Sequence, residues 1–340
     1  MNSGAPARGS WALTPFLQPW WLPGGHTQTL AGKLLRPKPI PGVTAERIDT
    51  SDGDFLDLAW MPETDPAAPI VLVLHGLEGH TRRGYVIQMF QALARQGLRP
   101  LGLNFRGCSG EINKVPRFYH SGETEDVAFV VDLIRDRFPG RPIMAVGFSL
   151  GANILLKLLG EQADRGESPI SAAAAISVPY DLSAGADALE QGWMARFYTK
   201  YFVTSLMNKV RAKEGLLKGL LDLTKVSDDS TIRTFDDVVT APLHGFVDAE
   251  DYYRQCSSKE FVARITTPTL LLHALNDPFL PSSAIPLSRI AGNPDLTLVL
   301  TERGGHVGFV EGAAPWKAMF WAERAAASFL SHHYQLSASQ

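Results

Sequence analysis

The chain has 340 residues, of which 45% are hydrophobic and 20% charged, and its formal net charge at pH 7 is -3. This composition is typical of a globular protein with a substantial core, and a slightly acidic chain without a basic block is not expected to bind nucleic acid. The two cysteines, Cys108 and Cys256, are too few for a disulfide framework and lack the spacing of a metal site. A reducing compartment, the cytoplasm, is therefore expected.

The N-terminal region is apolar but does not have the pattern of a membrane segment. Prolines interrupt the aromatic stretch between Trp11 and Trp21, and no apolar run elsewhere reaches the length of a transmembrane helix. Residues 1–42 are therefore expected to form a mostly irregular N-terminal arm, without a signal peptide, that packs on the domain surface. An arm that contacts a membrane is the weaker alternative, because basic residues are sparse there.

After the arm, short apolar runs alternate with helical patterns. The expected strands are near residues 45–50, 55–61, 70–74, 100–104, 143–148, 171–178, 269–275 and 296–301, and the expected helices near 85–95, 123–138, 150–162 and 316–330. This βαβ alternation predicts an α/β fold with a mainly parallel, eight-stranded sheet and helices on both of its faces.

The alternation lapses between residues 181 and 264, where the sequence predicts helices and loops without a strand. We therefore expect a single domain, residues 43–340, with a helical cap inserted at about 181–264 over the carboxyl edge of the sheet. Apolar residues recur in this cap at three- and four-residue steps: Trp193, Met194, Phe197, Tyr198, Tyr201, Phe202, Leu206 and Met207. Packing onto the domain is the favoured interpretation for each of them, and lining of an acyl-chain tunnel is the alternative.

The most informative motif is Gly147-Phe148-Ser149-Leu150-Gly151, which follows an apolar run and precedes a helical pattern. This order predicts a strand, a tight turn and a helix, with Ser149 in a strained backbone conformation and its hydroxyl projecting from the sheet. Glycine is expected at both ends of the motif, because a side chain there would collide with the neighbouring strand or helix. The alternative is an ordinary serine at the start of a helix.

A serine hydroxyl becomes a good nucleophile when a histidine takes its proton and an acid orients that histidine. In a sheet of this type the two partners follow later strands at the same edge, in the order serine, acid, histidine. Asp277 follows the strand at 269–275, and His306 lies in a glycine-rich loop after the strand at 296–301. We therefore predict Ser149, Asp277 and His306 as the catalytic nucleophile, acid and base.

Other residues compete for these roles. Asp181 is an alternative acid, although its position before Ser183 is more typical of a helix start. Asp277 itself could merely cap the turn before Pro278. The competing histidines are His75, His80, His120, His244 and His273. His273 lies within a strand, where a packed core histidine is expected.

Two backbone N–H groups are expected to bind the oxyanion of the transition state. The first belongs to Leu77, in the turn where Gly76 lets the backbone curl toward the site, and the second belongs to Leu150, which follows the nucleophile. His75, in the same turn as Leu77, is interpreted as a structural histidine that braces the loop.

The glycine-rich turn at residues 104–110 lacks a following helix at phosphate-binding spacing, so it is not expected to bind a nucleotide. Arg106 in this turn is expected to hold loops together through hydrogen bonds, and Cys108 to be a small loop residue. No dinucleotide-binding, phosphate-loop or zinc-protease motif occurs, so neither a cofactor nor a metal is expected.

Several motifs together resemble the α/β-hydrolase superfamily and, within it, the YheT-like hydrolases. They span nearly the whole chain: Pro19–Pro23, His26–Leu30, His75–Gly79, Asn104–Cys108, Tyr119–Gly122, Gly147–Gly151, Asp251–Tyr253, Asn276–Pro278 and Gly305–Phe309. The resemblance implies a serine hydrolase of carboxylic esters that uses Ser149, Asp277 and His306. The related eukaryotic membrane-associated hydrolases have an N-terminal membrane anchor that this sequence lacks, which favours a soluble ester over a membrane lipid.

The expected function is therefore hydrolysis of carboxylic esters with short to medium acyl chains through an acyl-enzyme. The expected partner is a small-molecule ester, with no nucleic acid and no integral membrane segment. Acyl transfer to an alcohol or amine by the same residues is one alternative, and a non-catalytic hydrolase fold that binds a ligand or protein is another. No sequence feature indicates an oligomeric state.

Overall fold

The computed structural model describes residues 11–36 and 42–338; residues 1–10 and 37–41 of the expected arm, and residues 339–340, lie outside the described residues. Eight strands form the main sheet: β1 (Thr44–Asp49), β2 (Phe55–Trp60), β3 (Ile70–Leu74), β4 (Arg99–Asn104), β5 (Ile143–Phe148), β6 (Ala172–Ile176), β7 (Thr269–Ala274) and β8 (Leu296–Thr301). Their spatial order is β1-β2-β4-β3-β5-β6-β7-β8. Only β1 with β2 and β2 with β4 pair antiparallel in this sheet, so the predicted mainly parallel, eight-stranded sheet is confirmed.

Helices surround the sheet and fill the stretch between β6 and β7. They are α1 (Gly25–Leu34), α2 (Gly84–Arg95), α3 (Glu125–Arg137), α4 (Leu150–Asp164), α5 (Leu182–Ala188), α6 (Trp193–Ala212), α7 (Glu214–Leu217), α8 (Ile232–Phe235), α9 (Ala241–Leu243), α10 (Ala249–Cys256), α11 (Leu287–Ala291) and α12 (Trp321–Ala338). A short ribbon pairs β9 (Val310–Glu311) with β10 (Met319–Phe320). None of the helices in the described ranges combines the length and apolar character that spanning a bilayer requires.

The central strands are buried on both faces of the sheet. Because successive side chains point to opposite faces, Ile70, Leu72 and Leu74 of β3 enter the core that α3 and α4 cover. Val71 and Val73 enter the second core, under α2 and α12. This double burial explains why β3 is a continuous aliphatic run, as expected of a parallel strand covered by helices.

The described part of the arm is mostly irregular, but residues Gly25–Leu34 form a helix, α1, that the sequence did not predict. The expected start of the C-terminal helix is wrong. The C-terminal helix begins at Trp321 and not near residue 316, because Met319 and Phe320 pair with β9 immediately before it.

The insert, as we call residues 181–264, lies between β6 and β7 and is described throughout. It contains α5–α10 and short irregular turns, with a single isolated bridge between Lys218 and Leu221 in place of a strand. Part of its apolar surface forms a separate core, which includes Val203, Met207 and Phe235 and is joined by Phe118 from outside the insert. Its status as a separate cap, and the domain limits given above, stay predictions.

Candidate active site

Ser149 occupies the turn between β5 and α4 with φ 52° and ψ -120°. Non-glycine residues rarely adopt such a conformation, which persists where the surroundings enforce it. A Cβ on Gly147 would lie 2.5 Å from the Cα of Ala152 in α4, and one on Gly151 would lie 2.6 Å from the carbonyl oxygen of His75. The turn is thus strained and needs both glycines, as the sequence predicts.

The three side chains predicted to cooperate form one chain of hydrogen bonds. The Oγ of Ser149 lies 2.9 Å from Nε2 of His306, and Nδ1 of His306 lies 2.7 Å from Oδ2 of Asp277. The carboxylate is fixed by a second contact, because its Oδ1 accepts a hydrogen bond of 2.9 Å from the N–H of Phe279. The side chain of Asp277 is 0% exposed and that of His306 is 10% exposed. This arrangement allows proton transfer between the serine hydroxyl and the imidazole.

The loop that carries His306 is held in an unusual backbone path. Val307 and Phe309 have φ values of 54° and 44°, in the positive-φ region that residues other than glycine rarely adopt. The N–H of Val307 donates to Oγ of Ser177 at 3.0 Å, and the N–H of His306 donates to Oγ1 of Thr29 at 2.9 Å. The imidazole is therefore positioned by the end of β6 and by α1.

The turn after β3 lies against the serine. A Cβ on Gly76 would lie 3.2 Å from the Cβ of Ser149. His75 braces this turn, because its Nδ1 is 2.8 Å from the carbonyl oxygen of Gly76 and its Nε2 accepts from the N–H of Phe105 at 3.2 Å. Burial lowers the pKa of His75 to about 3, so the ring is neutral and fully used in backbone contacts. It is a structural histidine, as expected.

The two backbone donors predicted for the oxyanion remain available. The N–H groups on either side of Leu77 donate to the hydroxyl oxygens of Tyr85 and Tyr119, at 2.9 and 2.7 Å. Within the described ranges, the N–H of Leu77 itself has no hydrogen-bond partner, and neither has that of Leu150 in the first turn of α4. A helix N-terminus also favours negative charge next to it. Both N–H groups are therefore free to donate hydrogen bonds to an oxyanion beside Ser149.

The other residues weighed in the sequence have structural contacts. Arg106 forms buried ion pairs with Asp126 at 2.7 Å and with Asp54 at 2.9 Å, so it joins loops as expected. Burial raises the pKa of the Cys108 thiol to about 11, which makes this residue a poor second nucleophile at neutral pH. Asp181 caps α5 by accepting from the N–H of Ala184 at 3.2 Å, as its helix-start pattern predicts.

A cavity of about 640 Å³ opens beside Ser149 and is walled mainly by apolar side chains. The insert supplies much of this wall from α6: Phe197, Tyr198, Tyr201, Phe202 and Leu206. The preference for packing over cavity lining does not hold alone for these five residues of the apolar stripe, since all of them line the cavity and Tyr198 also packs against Phe279 and Leu280. It is correct for Met207, which packs inside the insert, whereas Trp193 is 79% exposed.

Two histidines, His120 and His244, make part of the cavity wall polar. Donor atoms of His120, Glu123 and His244 lie within 4.8 Å of one another, which is compatible with a metal site in the described part of the chain. However, Arg117 donates to both carboxylate oxygens of Glu123, at 2.7 and 2.8 Å, so a cation would compete with the guanidinium. Burial lowers the pKa of His120 well below its usual value and that of His244 to about 4. Neutral imidazoles thus line this part of the wall.

The architecture around these residues has known counterparts. A profile of the alpha/beta hydrolase fold family matches residues 69–313, from the start of β3 to beyond the His306 loop. The chain is an α/β hydrolase. This hydrolase is 38% identical to YheT of Escherichia coli (strain K12) over 291 residues, which are 84% of each chain. It is 33% identical to phospholipase ABHD3 of Mus musculus over 302 residues, 87% of this chain and 73% of the relative.

Solved structures support the same fold. The esterase Pf2001 of Pyrococcus furiosus superposes with a TM-score of 0.51 over 80% of this hydrolase and 88% of the esterase. The two sequences are 18% identical, so this likeness concerns the architecture. The predicted membership of the YheT-like hydrolases is confirmed by the sequence relatives.

Sequence reasoning missed the contribution of α1 to the site of this hydrolase. Gln28 is completely buried, and its amide both donates to the carbonyl oxygen of Val310 at 3.1 Å and accepts from the N–H of Val310 at 2.8 Å. Arg36 donates to the carbonyl oxygen of Val307 at 2.7 Å. With Thr29, these residues hold both ends of the His306 loop. The only signal in the sequence was the motif His26–Leu30, which the resemblance included without assigning it a role.

Proposed function

We propose that this α/β hydrolase cleaves carboxylic esters through an acyl-enzyme, with Ser149 as nucleophile, His306 as general base and Asp277 as the acid that orients it. The observation that carries the proposal is the hydrogen-bond chain from Ser149 Oγ through both nitrogens of His306 to Asp277, with distances of 2.9 and 2.7 Å. A constellation of this kind is recognised by geometry and not by sequence position.

In the first half of the reaction, Nε2 of His306 accepts the proton of Ser149 as Oγ attacks the ester carbonyl. Asp277 accepts the hydrogen bond from Nδ1, which fixes the tautomer that leaves Nε2 free as a base and stabilises the imidazolium that forms. His306 then gives the proton to the leaving alcohol, and the acyl group stays on Ser149.

The N–H groups of Leu77 and Leu150 stabilise the oxyanion in both tetrahedral intermediates, and each such donor is typically worth about 3 kcal/mol of barrier lowering. In the second half of the reaction, His306 deprotonates a water molecule that attacks the acyl-enzyme. When the bond between the acyl group and Oγ breaks, His306 returns this proton to Oγ, which restores Ser149 and releases the acid. The same machinery would transfer the acyl group if an alcohol or amine replaced water.

The cavity supports an ester with an apolar acyl group. Its wall near the serine consists of aromatic and aliphatic side chains, including Phe202, Phe279 and Leu280. Apolar pockets with few polar groups bind acyl chains through burial of their surface. We therefore propose small esters with short to medium acyl chains as substrates.

The decisive experiment replaces the nucleophile. Ser149→Ala is expected to lower hydrolysis of p-nitrophenyl esters by about 10⁴-fold or more and to abolish labelling by a fluorophosphonate probe, because the attacking oxygen is removed. A graded series of acyl lengths measured on the wild-type protein gives the substrate range in the same assay.

The matched control is Ser121→Ala, which removes another hydroxyl from the wall of the same cavity. This variant is expected to keep the labelling. Labelling that persists in Ser149→Ala but disappears in Ser121→Ala would refute the assignment of the nucleophile. A wild-type protein that is inert to the probe and to every ester would instead support a non-catalytic binding role.

A further inference from the structure

The mouth of the cavity is surrounded by apolar side chains that face solvent. Leu34 of α1 and Phe197 and Tyr201 of α6 all line the cavity, yet they are 78%, 60% and 40% exposed. Residues that line a cavity and are also exposed lie at its opening. Trp193, one helical turn before Phe197 on α6, extends this surface and is 79% exposed. We call these four residues the apolar rim.

Cations accompany the apolar rim. Lys33, Arg82 and Arg83 line the same opening, and the ammonium of Lys33 lies 4.3 Å from the centre of the Tyr201 ring. Arg196 is exposed on α6 between Trp193 and Phe197. No carboxylate pairs with any of these four cations in residues 11–36 and 42–338. Their positive charge is therefore available to an external partner.

The acids near the cavity do not neutralise the rim. Helices α1 and α6 contain no acidic residue. The carboxylates that line the cavity are Glu78 and Asp236. Glu78 is buried and paired with Lys209 at 2.6 Å, and Asp236 is bonded to the hydroxyls of Thr240 and Tyr253. Glu190, just before α6, is an exposed acid near the rim, but the four cations outnumber it although the whole chain carries a net charge of -3.

We propose that the apolar rim and its four cations dock onto the surface of an anionic phospholipid bilayer. Exposed aromatic side chains on a helix enter the headgroup boundary, while neighbouring lysines and arginines remain at the level of the phosphates. The cavity opening would then face the bilayer, so esters that partition into the membrane would reach Ser149 without crossing bulk water. This inference goes beyond the proposed ester hydrolysis and does not depend on it, since docking is a binding event.

Vesicle flotation of the full chain tests the proposal, with Ser149→Ala in place so that hydrolysis plays no part. The protein is expected to float with vesicles of equimolar phosphatidylglycerol and phosphatidylcholine and to remain in solution with vesicles of phosphatidylcholine alone. Raising the salt concentration is expected to release the protein, because exposed charges are screened beyond about 10 Å at 0.1 M salt.

Two single variants separate the apolar and the charged contributions. Trp193→Ser is expected to weaken binding to the anionic vesicles about tenfold, through loss of buried aromatic surface. Arg196→Gln is expected to weaken this binding about fivefold, because it removes the attraction of one cation to the anionic surface. Neither residue lines the cavity, so with Ser149 restored both variants are expected to hydrolyse a water-soluble ester at the wild-type rate.

The matched control is Trp316→Ser, which removes a tryptophan of similar exposure (83%) that does not line the cavity. This control is expected to float like the wild type. Failure of the wild type to float, equal flotation with neutral vesicles, or equal losses for Trp193→Ser and Trp316→Ser would each overturn the proposal. A wild-type dimer that becomes monomeric in Trp193→Ser, without vesicle binding, would assign the rim to self-association instead.

Discussion

Helices α1 and α6 both border the cavity, but they are attached to the catalytic loop in different ways. Residues of α1 and its C-terminal end reach the loop through directional contacts, such as the hydrogen bond from His306 N–H to Thr29 and that from Arg36 to Val307. Residues of α6 reach the part of the site around Asp277 and His306 through ring packing, with Tyr198 lying 4.6 Å from Phe279 between ring centres.

The difference indicates two separate tasks. A hydrogen bond fixes a loop at a set distance and angle, which is what an imidazole needs in order to face a hydroxyl. Apolar packing fixes no single geometry and accepts changes of shape, which suits a wall that meets different acyl groups. We therefore expect changes at α1 to affect stability and turnover, and changes at α6 to affect the choice of ester.

The largest effect is expected from Arg36, which ties α1 to α12. Arg36 is paired with Glu323 at 2.7 Å, and their side chains are 3% and 0% exposed. Arg36→Gln is expected to lower the free energy of unfolding by about 3 kcal/mol, because it leaves a buried carboxylate without its counter-charge. Urea denaturation measures this loss.

Two controls sharpen the Arg36 prediction. Burial raises the pKa of Glu323, so protonation relieves the unpaired charge, and the deficit of Arg36→Gln is expected to shrink as the pH falls. The exposed pair of Arg264 and Asp164 provides a matched case, and Arg264→Gln is expected to cost less than about 1 kcal/mol. Equal losses for Arg36→Gln and Arg264→Gln would contradict the role of the buried pair.

A smaller effect is expected from Thr29. Thr29→Val removes the acceptor for the N–H of His306 and keeps the shape of the side chain, so kcat is expected to fall about tenfold with little change in KM. Thr29→Ser should restore the rate. Thr27→Val is the control, because Thr27 lies on the same helix and, among the described residues, its hydroxyl bonds to Gly24 and not to the His306 loop. A raised KM with an unchanged kcat would show that Thr29 does not position the histidine.

The smallest effect is expected from α6. Phe202 lines the cavity, and its ring centre is 6.1 Å from that of Phe279, which in turn packs on His306. Phe202→Ala removes apolar contact with the acyl chain, and KM for p-nitrophenyl hexanoate is expected to rise about fivefold. The change in kcat should be smaller than that in KM. If Phe202→Ala lowered kcat as much as Thr29→Val, this result would contradict the proposal that α1 positions His306 whereas α6 forms the cavity wall.

Most of the sheet could be predicted from sequence because its signals are local. The run at 70–74 is short, rich in branched aliphatic residues and free of polar ones, which predicts a strand buried on both faces, and β3 has the same bounds. The turn at Ser149 could also be predicted from its own motif, since a Cβ on either of its two glycines would collide with the backbone of Ala152 or His75. The catalytic roles of Ser149, Asp277 and His306 stay predictions.

What the sequence did not predict depends on distant partners. Helix α1 has two glycines and a mixture of polar and apolar residues without a clear periodic face, so its own sequence favours a loop. It is stabilised by contacts with a loop nearly 300 residues away, which outweigh local propensity. Lining of the cavity by Phe197 and Tyr201 was only the less favoured alternative for a similar reason, because periodicity shows that a helix has an apolar face and not what that face contacts.

The clamp between Gln28 and Val310 joins positions 282 residues apart, so the beginning of the polypeptide completes a structure near its end. Because synthesis runs from the N-terminus to the C-terminus, Gln28 is made before Val310 and gains these two hydrogen bonds only once the segment around Val310 has followed. A nascent sheet can therefore form before the imidazole is held in place. If the proposed mechanism is correct, ester cleavage is therefore expected only after the segment around Val310 has been synthesised and has bound Gln28.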